Sequence, residues 1–250
     1  MKTRLNHKHE KTKGGKKMDV QAIAHRGYSA KYPENTLAAY EASIDLGFSH
    51  IEVDVHLSRD EVPVIMHDKT VDRTTNGTGL INAYTLKELR RLKTSGNERI
   101  PTLEEVLGLA KGRVKVAIEL KQIENMYPRL ERKVAALIDE KGMANDVYVN
   151  SFNHESMKTL REVAPDLEIG LIKSDASPAL FPYMEQIQAS SIAMELRFYT
   201  EAFADQCKER GYQLIVWPID TKEACERMAK RPGVLCTVNE LELFKENYHA

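Results

Sequence analysis

Two acidic side chains lie two positions apart in the segment HIEVDVHLSRDEVPVIMHD, which spans residues 50–68. Glu52 and Asp54 fall in an apolar run with the two-residue alternation of a β-strand, so both side chains are expected on one face. After a short polar break, a second apolar run ends on His67. Carboxylates can bind a divalent cation and histidine can transfer a proton, so this segment is a candidate for metal-assisted acid–base chemistry.

Two further segments carry ionisable residues at the ends of strand-like runs. The run VQAIAH ends on His25, and Arg26 follows directly. In VKVAIELK, Glu119 and Lys121 share one face, opposite a row of aliphatic residues. If these runs are neighbouring parallel strands, their carboxyl ends bring the side chains together.

The residue types in this set suit hydrolysis of a phosphoester. Three carboxylates in close proximity repel one another unless a cation lies among them, and oxygen ligands favour Mg²⁺ or Ca²⁺, with Mn²⁺ also acceptable. Arg26 and Lys121 can bind a phosphate next to one divalent cation. Of two histidines, one can accept a proton from a nucleophile while the other donates one to a leaving group.

The elements that must position these residues alternate between strand and helix. Two strand-like runs, 50–55 and 62–67, are joined by six residues, which is too short for a parallel crossover, so we expect an antiparallel hairpin. Eight strand–helix (βα) units remain when the second strand of the hairpin is left out of the count. Eight such units close a barrel of about 250 residues. We therefore predict an α/β fold, a (β/α)8 TIM barrel with a β-hairpin insertion after strand 2. The predicted strands are 20–25, 50–55, 62–67, 114–120, 147–152, 167–172, 191–196, 213–217 and 234–238.

Composition limits the class of protein. Hydrophobic residues make up 42% of the 250 residues, and the three cysteines are too few for a disulfide framework. With no apolar run of membrane-spanning length, we expect no stable membrane insertion and a cytoplasmic location. Residues 18–250 are predicted to form a single domain.

Residues 1–17 differ from the rest, with seven Lys or Arg residues against one Glu. We expect a disordered basic tail or tag, because almost no apolar residues are present. An arm that binds nucleic acid or a membrane surface is the less favoured alternative. The remainder of the chain is acidic, so no nucleic-acid partner is expected.

The segments IAHRGYSAKYPENTLAAYEAS, IEVDVHLSRDEVPVIMHD and AIELK together resemble the signature of the glycerophosphodiester phosphodiesterase family. That family belongs to the phospholipase-C-like (β/α)8 barrels, and the similarity covers most of residues 20–238. The resemblance implies metal-dependent hydrolysis of a small glycerophosphodiester to sn-glycerol 3-phosphate and an alcohol such as choline or ethanolamine. It also implies that the glycerol hydroxyl of the substrate attacks phosphorus, and that water then opens the resulting cyclic phosphate.

The resemblance implies three groups of site residues by position. The metal ligands are Glu52, Asp54 and Glu119. The general acid/base pair is His25 and His67. The substrate- and phosphate-binding residues are Arg26, Lys121, Trp217, Glu34 and Asn35. Capping of the following helix explains Asn35 as well as a substrate contact does.

Two segments depart from the pattern of that family. Asn239 follows the last strand where an Asp in a T-D pair is usual, and the Trp segment reads VWPID rather than VWTVN, with Pro218. Both segments shape the far side of the expected pocket, so we expect a changed preference for the head group.

Two other functions stay open. One is hydrolysis of lysophospholipid-type diesters, which needs a long apolar groove. The other is a non-catalytic barrel that binds a phosphate ligand. Apolar residues that could form the groove lie in two predicted loops: Ile123, Met126, Leu180 and Phe181.

Overall fold

The computed structural model describes residues 20–249, and within them nine strands form one sheet. These strands are β1 Val20–Ala24, β2 Phe48–Leu57, β3 Pro63–Ile65, β4 Lys115–Leu120, β5 Val147–Ser151, β6 Ile169–Ile172, β7 Ser191–Glu195, β8 Gln213–Trp217 and β9 Leu235–Val238. All except β3 are parallel to their neighbours, and β9 pairs with β1 to close the barrel. The predicted (β/α)8 TIM barrel is confirmed.

Strand β2 is the longest and has three partners. It pairs with β1 near its start, with β4 along its middle, and with antiparallel β3 at its end, where Val55 lies opposite Ile65. The predicted hairpin is therefore confirmed. The β2–β4 register places Asp54 beside Glu119, so two of the acidic residues are cross-strand neighbours.

Helices cover the outside of the barrel. Within the described residues they are α1 Leu37–Asp45, α2 Leu86–Leu89, α3 Leu103–Ala110, α4 Leu130–Lys141, α5 His154–Val163, α6 Phe181–Ile187, α7 Glu201–Arg210, α8 Lys222–Ala229 and α9 Leu241–Asn247. Threonine side chains cap several helix starts by accepting a backbone N–H, as Thr36 does for α1 and Thr221 for α8. None of the helices within residues 20–249 is long and apolar enough to cross a membrane.

The apolar residues divide into an outer and an inner core. The outer core lies between the barrel and the helices, and the inner core fills the barrel. Ile23 and Ala117 belong to the inner core and precede His25 and Glu119 by two residues on the same strand face. The inner core thus forms a floor one layer beneath the polar residues at the barrel mouth.

The insertion after β2 is larger than a hairpin. After β3 the chain continues through residues 66–102 before α3 begins, and this segment contains α2. A separate apolar cluster holds it in place, made of Val64, Met66, Val71, Ile81, Leu89 and Ile100. The insertion therefore has its own small apolar core and packs on one side of the barrel mouth. The basic segment 1–17 lies outside the described residues.

Candidate active site

The three predicted metal-binding carboxylates meet at the barrel mouth. One oxygen from each of Glu52, Asp54 and Glu119 lies within 4.8 Å of the others, and each side chain is buried. Glu52 Oε1 and Asp54 Oδ1 are buried and accept no hydrogen bond, and Asp54 Oδ1 has only an ion-pair contact at 3.4 Å with the ammonium of Lys121. Buried acceptors without partners are costly, and a hard divalent cation with oxygen ligands would satisfy them. The residues present therefore fit a metal ion.

Two basic side chains surround the carboxylates. The ammonium of Lys121 donates to Glu119 Oε1 at 2.7 Å and lies 3.4 Å from Asp54 Oδ1. Arg26 Nε lies 3.5 Å from Asp54 Oδ2, and the Arg26 backbone N–H donates to Glu52 Oε2 at 2.9 Å. Burial alone would lower the pKa of Lys121, but Asp54 and Glu119 outweigh burial and raise it. Lys121 is thus held in its charged form.

The carboxylates differ in their electrostatic environment. Burial, followed by repulsion from Asp54 and Glu119, raises the pKa of Glu52 well above its usual range. For Asp54, burial acts in the same direction, but Lys121 and Arg26 outweigh it and the pKa is lowered. Further positive charge among the three groups would favour ionisation of all of them together.

His25 contacts an amide. Its Nδ1 lies 2.9 Å from Asn239 Oδ1, and the Asn239 Nδ2 donates to Asp220 Oδ2 at 2.5 Å. Burial, followed by the charge of Arg26, lowers the pKa of His25 to about 4. At neutral pH His25 is therefore an uncharged imidazole, the form that accepts a proton. The two sequence segments that depart from the family pattern are in direct contact here.

His67 contacts a carboxylate. Its Nδ1 lies 2.8 Å from Asp68 Oδ1, and Arg73 Nε donates to Asp68 Oδ2 at 2.6 Å. Burial, together with the charges of Lys121 and Arg26, lowers the pKa of His67, and Asp54 and Asp68 oppose this shift without reversing it. The hairpin helps to position His67. Buried His56, on the first strand of the hairpin, donates a hydrogen bond to the His67 carbonyl oxygen at 3.2 Å.

The turn after β1 requires glycine. Arg26 and Gly27 both have positive φ, at 58° and 77°. A Cβ atom on Gly27 would lie 2.7 Å from the carbonyl carbon of Ala39, which is too close for any other residue. The close approach of the turn to α1 explains the glycine at position 27, and the turn directs the Arg26 backbone N–H toward Glu52.

Glu34 and Asn35 lie next to the acids and do not line the cavity that His25 and His67 share. Asn35 is buried, donates to Asp54 Oδ2 at 2.8 Å and accepts from Tyr40 at 2.7 Å. The capping interpretation of Asn35 is wrong, because Thr36 caps α1. Glu34 forms ion pairs with Arg26 and Arg73. A direct substrate contact by either residue stays a prediction.

The histidines open onto a cavity of about 150 Å³ with a polar and an apolar side. Trp217 lies on the apolar side and packs edge-to-face against Phe152, with ring centroids 6.2 Å apart. The polar side comprises His25, Arg26, Glu52, His67 and Glu119. Lys121 and Asp54 lie just outside the cavity lining and contact it through Glu119.

The cavity includes residues that sequence reasoning missed. Asn150 is the register partner of Glu119 on β5, is buried, and has an Oδ1 without a hydrogen-bond partner. Its signal was an amide near the carboxyl end of the run VYVNSF. Tyr148 lies beneath it in the inner core. Asp220 was also missed, since a polar residue after a strand has no distinguishing pattern.

The loop residues that could form an apolar groove for a lysophospholipid-type diester are mostly packed against the core. Phe181 begins α6, is buried and stacks on Phe203 at 5.6 Å, so it cannot line a groove. Leu180 and Met126 pack against the outer core, whereas Ile123 is 48% exposed.

The sequence of the chain is similar to those of known phosphodiesterases. Residues 25–236 match the sequence model of the "Glycerophosphoryl diester phosphodiesterase family". A glycerophosphodiester phosphodiesterase from Caldanaerobacter subterraneus subsp. tengcongensis is 37% identical over 221 residues, covering 85% of this chain and 91% of that protein.

Solved structures also resemble the chain. An Oleispira antarctica phosphodiesterase in complex with the product sn-glycerol-3-phosphate superimposes with a TM-score of 0.86 at 25% identity, covering 91% of this chain and 96% of that one. A glycerophosphodiester phosphodiesterase from Agrobacterium tumefaciens gives a TM-score of 0.80 at 28% identity, with 91% and 99% coverage.

Proposed function

The chain belongs to the glycerophosphoryl diester phosphodiesterase family, and from this premise we propose that it hydrolyses glycerophosphodiesters to sn-glycerol 3-phosphate and an alcohol. The observation that carries the proposal is the meeting of three buried carboxylates, two histidines and a basic pair at one cavity. The related Oleispira structure contains sn-glycerol-3-phosphate, which supports this product.

Glu52, Asp54 and Glu119 would hold one divalent cation, Mg²⁺, Ca²⁺ or Mn²⁺, whose bound charge would polarise the phosphate. Arg26 contributes a guanidinium that can bind a phosphate oxygen through two N–H groups. Lys121 contributes a point charge that is already held toward Asp54 and Glu119. Together these side chains would orient the phosphate and stabilise the charge that develops on it.

The two histidines have different hydrogen-bond partners, and these partners suit them to different roles in proton transfer. His25 is bound at Nδ1 by a neutral amide, so its Nε2 would accept the proton of the attacking glycerol hydroxyl. His67 is bound by the Asp68 carboxylate, which stabilises an imidazolium, so it would protonate the leaving alcohol. The new P–O bond forms as the old one breaks. Opening of the cyclic phosphate by water reverses both proton transfers.

A second candidate substrate class is a diester with an apolar group. The exposed large hydrophobic side chains of residues 20–249 all lie in connections from a strand to the next helix, which is the side of the barrel mouth. Phe152, half exposed, continues the apolar side of the cavity toward solvent. This surface favours lysophospholipid-type diesters as the alternative. These side chains are Tyr32, Leu80, Ile123, Phe152 and Phe198.

The test is a substrate panel with purified protein and saturating divalent cation. It compares release of glycerol 3-phosphate from glycerophosphocholine and glycerophosphoethanolamine with cleavage of lysophosphatidylcholine, and uses His67→Ala as the inactive control. Faster turnover of the two short diesters supports the proposal. Faster turnover of the lysolipid assigns the alternative class, and no turnover of any diester contradicts both.

A further inference from the structure

Asn239, which forms a hydrogen bond with His25, is itself bound by the carboxylate of Asp220. Asp220 lies between β8 and α8, and its two oxygens accept the Asn239 side-chain Nδ2–H at 2.5 Å and the Asn239 backbone N–H at 2.7 Å. The backbone N–H of Glu240 also donates to Asp220, at 3.3 Å. Asn239 is therefore anchored at three points: by both bonds to Asp220 and by His25.

This arrangement determines which way the amide of Asn239 faces. An ionised carboxylate only accepts hydrogen bonds, so the Asn239 –NH₂ group must face Asp220 and its oxygen must face His25. The Ser29 hydroxyl, which donates to the same oxygen at 3.1 Å, agrees with that orientation. Because an amide oxygen only accepts, the nitrogen of His25 that contacts it must carry the proton.

We propose that Asp220 is a positioning residue: acting through Asn239, it fixes His25 as the Nδ1–H tautomer, with the unprotonated Nε2 available at the cavity. Asp220 is not among the residues that line the cavity, and its hydrogen bonds go to Asn239 and Glu240 rather than to His25. Without it, the Asn239 amide could rotate and present its –NH₂ group to the ring, and His25 would then carry its proton on Nε2. The catalytic consequence rests on the proposed function, whereas the tautomer does not.

The kinetic test exchanges the two side chains. In Asn239→Asp, two carboxylates face each other across the position of a hydrogen bond, so we expect kcat to fall by about 100-fold or more, with KM nearly unchanged. In the double variant Asp220→Asn/Asn239→Asp, the amide at 220 donates to the carboxylate at 239, which accepts from His25. We expect this exchange to recover kcat to within about tenfold of the wild type.

The tautomer is read independently of turnover. Two-bond ¹H–¹⁵N correlation spectra of full-length protein with ¹⁵N-labelled histidine, at a pH where His25 is neutral, distinguish Nδ1–H from Nε2–H; the His25 signal is identified by its loss in His25→Asn. We expect Nδ1–H in the wild type and in the double variant, and a mixture in Asp220→Asn. The surface variant Asp205→Asn is the matched control, with wild-type spectra and rates.

Each outcome has a distinct meaning. An Nε2–H tautomer in the wild type overturns the proposal, as does an Asp220→Asn variant with unchanged tautomer and kcat. If the double variant folds, as judged by circular dichroism, yet recovers no activity, the pairing between Asp220 and Asn239 is not what matters. If no diester is turned over by the wild type, the proposed function fails, while the spectra still decide the tautomer.

Discussion

Replacing Glu52 by Gln tests whether the three carboxylates bind a cation. The substitution should stabilise the metal-free protein and destabilise the cation-bound protein relative to the wild type. At an effective dielectric constant of about 20, two unit charges separated by 4.8 Å repel by roughly 3.5 kcal/mol. Glu52 has two such neighbours, Asp54 and Glu119, and partial protonation together with the charge and backbone N–H of Arg26 reduces the penalty. We expect the substitution to stabilise the metal-free protein by about 1–3 kcal/mol, or about 2–10 °C in Tm.

The stabilising effect of Glu52→Gln on the metal-free protein depends on pH. An unfolded glutamate has a pKa of about 4.3, and the pKa of Glu52 in the folded protein is raised above that value. Between those two values the folded state binds more protons than the unfolded state, so the stability of the metal-free wild type falls as pH rises. Glu52→Gln lacks this contribution, so its advantage should be absent near pH 4 and grow toward pH 8.

With added cation, the wild type should become more stable than Glu52→Gln. A ligand at 100 times its Kd stabilises the protein that binds it by about 2.7 kcal/mol, and the variant lacks one of the three carboxylates. The assay is thermal unfolding by circular dichroism at pH 5 and pH 8, in EDTA and in excess Mg²⁺, Ca²⁺ or Mn²⁺. Glu209→Gln on the exposed surface of α7 is the control. A variant less stable than wild type in EDTA at pH 8, or equal stabilisation of both by the cation, would refute the reasoning.

Three further substitutions have defined outcomes. Gly27→Ala should destabilise the fold by about 2–4 kcal/mol in urea unfolding, because of its clash with Ala39 and its positive φ, whereas Gly112→Ala, with open space around it, should cost only about 1 kcal/mol. Lys121→Met should lower kcat/KM at least about 100-fold in steady-state assays, and a loss under fivefold would argue against a phosphate contact. Asp68→Asn removes the carboxylate partner of His67 and should lower kcat about tenfold, with KM little changed.

The fold was predictable because its signals are local. The six-residue connection between the runs at 50–55 and 62–67 excludes a parallel crossover, and the count of the remaining units matches a closed barrel. The short helix α6 had no such signal, since its segment FPYMEQI begins with an aromatic and a proline. The sequence therefore predicts a loop at Phe181, although this residue is buried in the outer core.

The candidate site was predictable to the extent that residues lie on strand ends. Alternation along β2 and β4 placed Glu52, Asp54 and Glu119 on inward faces, and the structure brings them together. What no local pattern reveals is which side chain holds another across the barrel. His25 contacts Asn239, which is 214 positions away, and Asn35 bonds to Asp54 rather than capping its own helix.

The most direct test of the central claim is the initial rate of sn-glycerol 3-phosphate release from glycerophosphocholine by the EDTA-treated protein before and after a divalent cation is restored. If the three carboxylates hold a catalytic cation, release is negligible in EDTA, recovers with at least one of Mg²⁺, Ca²⁺ or Mn²⁺, and does not recover in Glu119→Gln. Release at the same rate in EDTA, or full recovery in Glu119→Gln, would contradict it.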